Sequence, residues 1–96
     1  MARGPGNSVL SSLSSNTGTQ KALSANSGRL GATFCNDDAN ACKLKFGNAA
    51  ISGATDYSVQ IPTLGSYTLL PGQWQGEVHV IWGTAGAGGL RITEFS

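Results

Sequence analysis

The sequence predicts an all-β fold: a compact antiparallel β-sandwich or barrel, jelly-roll-like, with a flexible N-terminal arm over residues 1–16 and a single β domain over residues 17–96. Three observations carry this reading. Short runs alternate apolar and polar residues with a period of two, the mark of strands with one buried face. Clusters of Gly, Asn, Asp, Ser and Pro separate those runs at the spacing of a sandwich or barrel. No window sustains an i, i+3, i+4 apolar stripe long enough to make an amphipathic helix.

Taken in order, residues 1–16 (MARGPGNSVLSSLSSN) are rich in Gly, Pro, Ser and Asn. They bury too little apolar surface to offset their ordering entropy, and read as a tail or as an arm that orders against a neighbouring subunit. TQKALSA (19–25) and GRLGATFCN (28–36) are the first candidate strands. In ACKLKFG, Cys42, Leu44 and Phe46 face one way, and Lys43 and Lys45 the other. In TDYSVQIP, Tyr57, Val59 and Ile61 alternate with Asp56, Ser58 and Gln60. SYTLL (66–70) follows, then GEVHVIWG, whose Val78, Val80 and Trp82 oppose Glu77, His79 and Ile81, and finally GLRITEF (89–95).

The Gly-rich run GTAGAGG (83–89) resembles a phosphate-binding loop only in composition. A Walker loop needs a Lys after its last glycine and a helix to supply backbone N–H groups. Here a strand-like LRITEF follows, and no G-x-G-x-x-G spacing occurs. The run therefore reads as a hairpin loop, or as a place where another backbone comes close.

Charged residues make up 11% of the chain, against roughly 25% in ordinary domains. Six basic and five acidic residues are scattered singly for a net charge of +1. No basic patch points to nucleic acid, and no stretch approaches the length of a membrane span. The start of the chain lacks the apolar run of a secretory signal, so synthesis and folding in a cytoplasm are expected.

Cys35 and Cys42 flank NDDANA and raise the question of a disulfide. If their strands form a hairpin with Phe34 on the core face, Cys42 points inward opposite Phe34 and Cys35 points outward. A bridge then requires a bulge, and two free thiols are expected. A lone C-x6-C with one histidine falls short of a zinc site, and NDDAN lacks the ligand pattern of a calcium loop. No metal or cofactor is expected. His79 and the carboxylates of Asp37, Asp38, Asp56, Glu77 and Glu94 read as outward-facing residues rather than as catalytic groups. The candidate partner-contact residues are Trp74, with Gln73 and Gln75 beside it in a turn, and Ile81, an apolar residue on the outer face of its strand.

The stretches NTGTQKALSANSGRLGATFCN, KLKFG, DYSVQIPTLGSYTLLPG and GEVHVIWGTAGAGGLRITEF carry a further signal. In that order they include R-x-G-x-x-x-x-N, a lysine-bearing strand ending in FG, a strand with I-W, and a final R-I-T-E-F. This scheme, over about residues 16–95, resembles small virion proteins of tailed bacteriophages. The resemblance implies a non-enzymatic capsid decoration (cement) protein that binds the assembled head and stabilises it. It further implies a homo-oligomer, with a trimer favoured, meeting the major capsid protein or other virion proteins on the capsid surface after assembly in a host cytoplasm. Residues 1–16 and the Trp74 turn are the expected contacts. The alternative is a tail or fibre component that binds a host-surface receptor or glycan. A small β-domain enzyme would need a cleft holding His79 and a carboxylate.

Overall fold

The computed structural model describes residues 8–96. Eight strands follow one another: β1 Ser8–Ser14, β2 Gln20–Leu23, β3 Gly31–Asn36, β4 Cys42–Phe46, β5 Val59–Ile61, β6 Ser66–Leu69, β7 Val78–Trp82 and β8 Gly89–Phe95. They form two antiparallel four-stranded sheets, ordered β1-β8-β3-β6 and β2-β7-β4-β5. The pairings β1 with β8, β2 with β7, β3 with β6 and β4 with β5 describe one long antiparallel ribbon with its tip at the β4–β5 connection. Rolling that ribbon places successive rungs in opposite sheets, which is the jelly-roll arrangement. Among the described residues both sheets keep free edges, so the fold is a sandwich and not a closed barrel.

The core lies between the sheets. Ala32 and Phe34 of β3, Leu69 of β6, and Leu90 and Ile92 of β8 meet Leu23, Cys42, Leu44, Ile61, Val78, Val80 and Trp82 from the other sheet. Burial of each large aliphatic side chain contributes about 1.5–3 kcal/mol. The period-two alternation in β4 and β7 therefore falls as expected: Cys42, Leu44, Val78, Val80 and Trp82 are all buried. Tyr57, expected on the same face as Val59 and Ile61, precedes β5 and is exposed. The Trp82 indole Nε1 is buried without a hydrogen-bond partner among the described residues.

Three expectations change. The arm predicted over residues 1–16 is in part a strand: β1 pairs without interruption from Ser8↔Phe95 to Ser14↔Gly89. Ser15 N–H donates to the Gly88 carbonyl at 3.0 Å, and Trp82 N–H to the Asn16 carbonyl at 3.1 Å. Residues 8–16 thus belong to the domain, and the boundary at 16/17 disappears; residues 1–7 of the predicted arm lie outside the described residues.

The strands carrying the two cysteines form no hairpin, because β3 and β4 belong to different sheets. Their faces are nevertheless as expected, with Cys35 exposed, Cys42 buried and both thiols free. Nor is GTAGAGG a hairpin loop, since it carries the chain from β7 in one sheet to β8 in the other. Its other reading is the one realised. A Cβ on Gly89 would collide with the Leu13 carbonyl oxygen, and one on Gly88 with the Asp37 carbonyl oxygen.

Candidate functional site

The Trp74 turn sits over one end of the sandwich, on top of Arg29. This arginine, two residues before β3, is 1% exposed. Its Nε donates to Glu94 Oε2 at 2.7 Å, Nη1 to the carbonyls of Trp74 at 3.2 Å and Gly76 at 2.9 Å, and Nη2 to the Ser24 carbonyl at 2.6 Å. A guanidinium is the one side chain with a planar fork of donors able to tie together a carboxylate and three carbonyls of two connections. Gln75 Nε2 in turn donates to the Arg29 carbonyl at 3.2 Å, and the Gln75 carbonyl accepts from Asn26 N–H at 2.8 Å.

Trp74 is half-buried against the core, and its Nε1 donates to the Glu77 carbonyl at 2.8 Å. Gln73 Oε1 accepts from Leu70 N–H at 2.8 Å, closing the turn in which Gly72 adopts φ 77°. Three of the four residues predicted as partner contacts thus share this connection, and their polar groups bond within it or to the β2–β3 connection. The side chains of Gln73 and Gln75 remain exposed.

Ile81 stands elsewhere, on the outer face of the β2-β7-β4-β5 sheet. That face is partly roofed by the β4–β5 connection. Lys45 Nζ pairs with Asp56 Oδ2 at 2.7 Å, Lys43 Nζ donates to the Ala54 carbonyl at 3.3 Å and lies 4.7 Å from the centre of the Tyr57 ring. Ile51 of the same connection is buried. The roof leaves an open groove of about 370 Å³, lined by Ile81, Lys43, Gln60, Ala41 and Ala54. The Lys45 ammonium, followed by the Ser52 N–H, holds the Asp56 carboxyl below the ordinary carboxylate value.

His79 shares this outer face but is only 8% exposed, correcting the expectation of an open strand residue. It stands opposite Lys21 and Lys45, with its Nε2 3.0 Å from Glu77 Oε1. Glu94 also departs from expectation, facing the core side of β8 to meet Arg29.

The opposite end of the sandwich is closed by NDDAN. Asn36 is 1% exposed; its Nδ2 donates to the carbonyls of Asn40, Ile61 and Pro62 at 2.9, 3.1 and 3.2 Å, while Oδ1 accepts from Asp38 N–H at 3.1 Å. Asp38, expected to be exposed, is buried: Oδ1 accepts from Gly88 N–H at 2.9 Å and Oδ2 from Asn40 N–H at 2.9 Å. Thr63 Oγ1 caps the Asp38 carbonyl.

Asp37 accepts from Gly89 N–H at 2.7 Å and pairs with Arg91 Nε at 2.8 Å. Its carboxyl lies below its ordinary pKa because of the Arg91 hydrogen bond first and the Gly89 N–H second. Burial pushes Asp38 upward, but the bonds from Asn40 and Gly88 outweigh it and the net shift is downward. The Cys42 thiol is pushed up to about 12, by burial first and by the Asp38 charge second.

The residues of the two sequence motifs thus have structural work. In R-x-G-x-x-x-x-N, Arg29 closes one end of β3 and Asn36 the other, while Gly31 leaves space for the Leu69 carbonyl, which an added Cβ would meet at 2.7 Å. In R-I-T-E-F, Arg91 and Glu94 answer Asp37 and Arg29. Sequence reasoning missed both clusters, because most of their partners are backbone groups distant along the chain. Among the described residues, no three His, Cys, Asp or Glu side chains gather into a metal-binding group. No protein family, no curated protein and no solved structure matches the chain.

Proposed function

We propose that this chain is a non-enzymatic structural protein of a tailed-bacteriophage virion, a capsid decoration protein that binds the assembled head. One observation carries the reading: the molecule turns its polar chemistry inward and bares apolar side chains. Arg29, Asn36 and Asp38 are almost fully buried and consumed by intrachain hydrogen bonds. Val9, Leu10, Leu64 and Leu70 are 58%, 76%, 84% and 58% exposed.

Leu64 adds a conformational argument. It holds φ 60°, a left-handed backbone that costs a leucine about 1–2 kcal/mol, at the tip of the β5–β6 turn. The turn holds this strain with bonds from Gly65 N–H to the Pro62 carbonyl and from Leu64 N–H to the Asn36 carbonyl, and it keeps the leucine side chain in solvent, where a contact can use it. Leu64 and Leu70 lie in successive connections leading into and out of β6, so each end of the sandwich presents an apolar tip to a neighbour. A cement protein works by burying such surface across junctions between capsid subunits. Binding only the assembled state raises the work of disassembly by mass action.

The jelly roll is an architecture used by viral coat proteins as well as by lectins and cupins, an analogy of fold and not of site. The test is the copy number of this protein in purified virions, counted by quantitative mass spectrometry against the major capsid protein. A ratio near that of the capsid subunits is expected. A few copies per particle would move the protein to a tail or fibre, and absence from the particle would remove the structural reading.

A further inference from the structure

The four edges of the two sheets are built differently. β2 carries Lys21 and a register shift between Lys21 and Leu23. β5 is three residues long and runs directly into Pro62. β6 is four residues long, with Pro71 two positions beyond its end. Short length, lysine, proline and bulges are the devices by which edge strands avoid pairing with other chains. β1 has none of them: Ser8-Val9-Leu10-Ser11-Ser12-Leu13-Ser14 is seven residues long, uncharged, free of proline and in unbroken register with β8. Six of its seven residues are exposed, and among the described residues nothing pairs with its outer side.

We propose that β1 is the seam of a two-fold dimer, in which β1 of one copy adds antiparallel to β1 of a second and joins two four-stranded sheets into one of eight. A second copy is the partner that brings an edge of the same length and the same lack of charge. A two-fold axis normal to the sheet keeps each face on its own side, so opposed residue numbers sum to an even number. With Ser11 on the axis all seven residues pair. Val9 then meets Leu13 of the second copy, Leu10 meets Ser12, Ser8 meets Ser14, and Ser11 meets its own equivalent.

This register covers Val9 with an apolar partner and sets no like charges against each other. The seam runs for about 23 Å, a short contact, so the dimer forms reversibly and depends on protein concentration. An isologous seam closes after two copies, whereas the resemblance implies a trimer. The proposal stands independently of the virion reading.

The test is a charge swap on the axis. Sedimentation equilibrium is run on the unmodified chain, on S11K, on S11D and on an equimolar mixture of the two, with far-UV circular dichroism to confirm that each is folded. The unmodified chain dimerises. Each variant alone opposes like charges directly and loses at least about tenfold in affinity. The mixture recovers the dimer. A monomeric unmodified chain overturns the proposal, as does an oligomer indifferent to both variants or a mixture that fails to recover. Should a charge at position 11 unfold the chain, hydrogen exchange on the unmodified protein decides. Protection of the residue 8–14 amides that rises with protein concentration supports the seam, and protection independent of concentration overturns it.

Discussion

At the end of the sandwich beneath the Trp74 turn, a single buried cation donates to four oxygens, three of them backbone carbonyls. At the end closed by NDDAN, a buried amide and two carboxylates share the work, and the carboxylates collect N–H groups from the Gly-rich crossover and from the turn. The first end depends on one side chain, whose planar fork of donors no other residue type supplies. The second is distributed and carries its charge on groups that titrate. Concentrated and dispersed closures of the same β3 strand should therefore fail differently.

The sharpest contrast comes from Arg29→Met. It strands the Glu94 carboxylate and three carbonyls at once, and should cost about 3–5 kcal/mol in urea unfolding. Arg29→Lys should recover little of this, because an ammonium lacks the planar fork. At the other end, Gly89→Ala drives a Cβ into the Leu13 carbonyl and must part β1 from β8. The expected loss is about 1–3 kcal/mol, with hydrogen exchange rising first in residues 8–14. Leu64→Gly relieves the left-handed backbone at the same end and should stabilise by up to about 1 kcal/mol, while removing a proposed contact.

The smallest effect is the pH dependence. Asp37 and Asp38 have folded-state pKa values below the ordinary 3.8, so their contribution is fully present above that value. It is lost as pH falls through the depressed folded values. The thermal midpoint of the unmodified protein should drop on acidification below about pH 4, and that of Asp37→Asn should drop less. A midpoint equally acid-sensitive in both would remove Asp37 from the account.

How much of this was legible in the sequence follows from what alternation can encode. A period of two assigns a residue to a face, so Phe34, Cys42, Leu44, Val80 and Trp82 were readable as core. It does not name the partner strand, so Cys35 and Cys42 fell on the right faces of the wrong hairpin. β1 was illegible because SVLSSLS alternates nothing; its order comes from β8, at the far end of the sequence. Asp38 read as an outward-facing carboxylate, and Arg29 and Asn36 only as motif positions, because the carbonyls and N–H groups that satisfy them are assembled only by the fold. Gln73, Trp74 and Gln75 share one connection by their adjacency in sequence, whereas Ile81 belongs to a separate groove on the sheet face.

The ribbon-like pairing of first strand with last has a kinetic consequence. The β4–β5 rung closes the shortest loop of the four rungs, and each outer rung must wait for the one inside it or pay a larger closure entropy. Such a chain has high contact order and should fold in milliseconds to seconds, zipping from the β4–β5 tip outward. The β1–β8 rung comes last. In refolding followed residue by residue, the amides of β1 should acquire protection after those of β4 and β7, leaving for a moment a nearly finished sandwich with the edge of β8 uncovered.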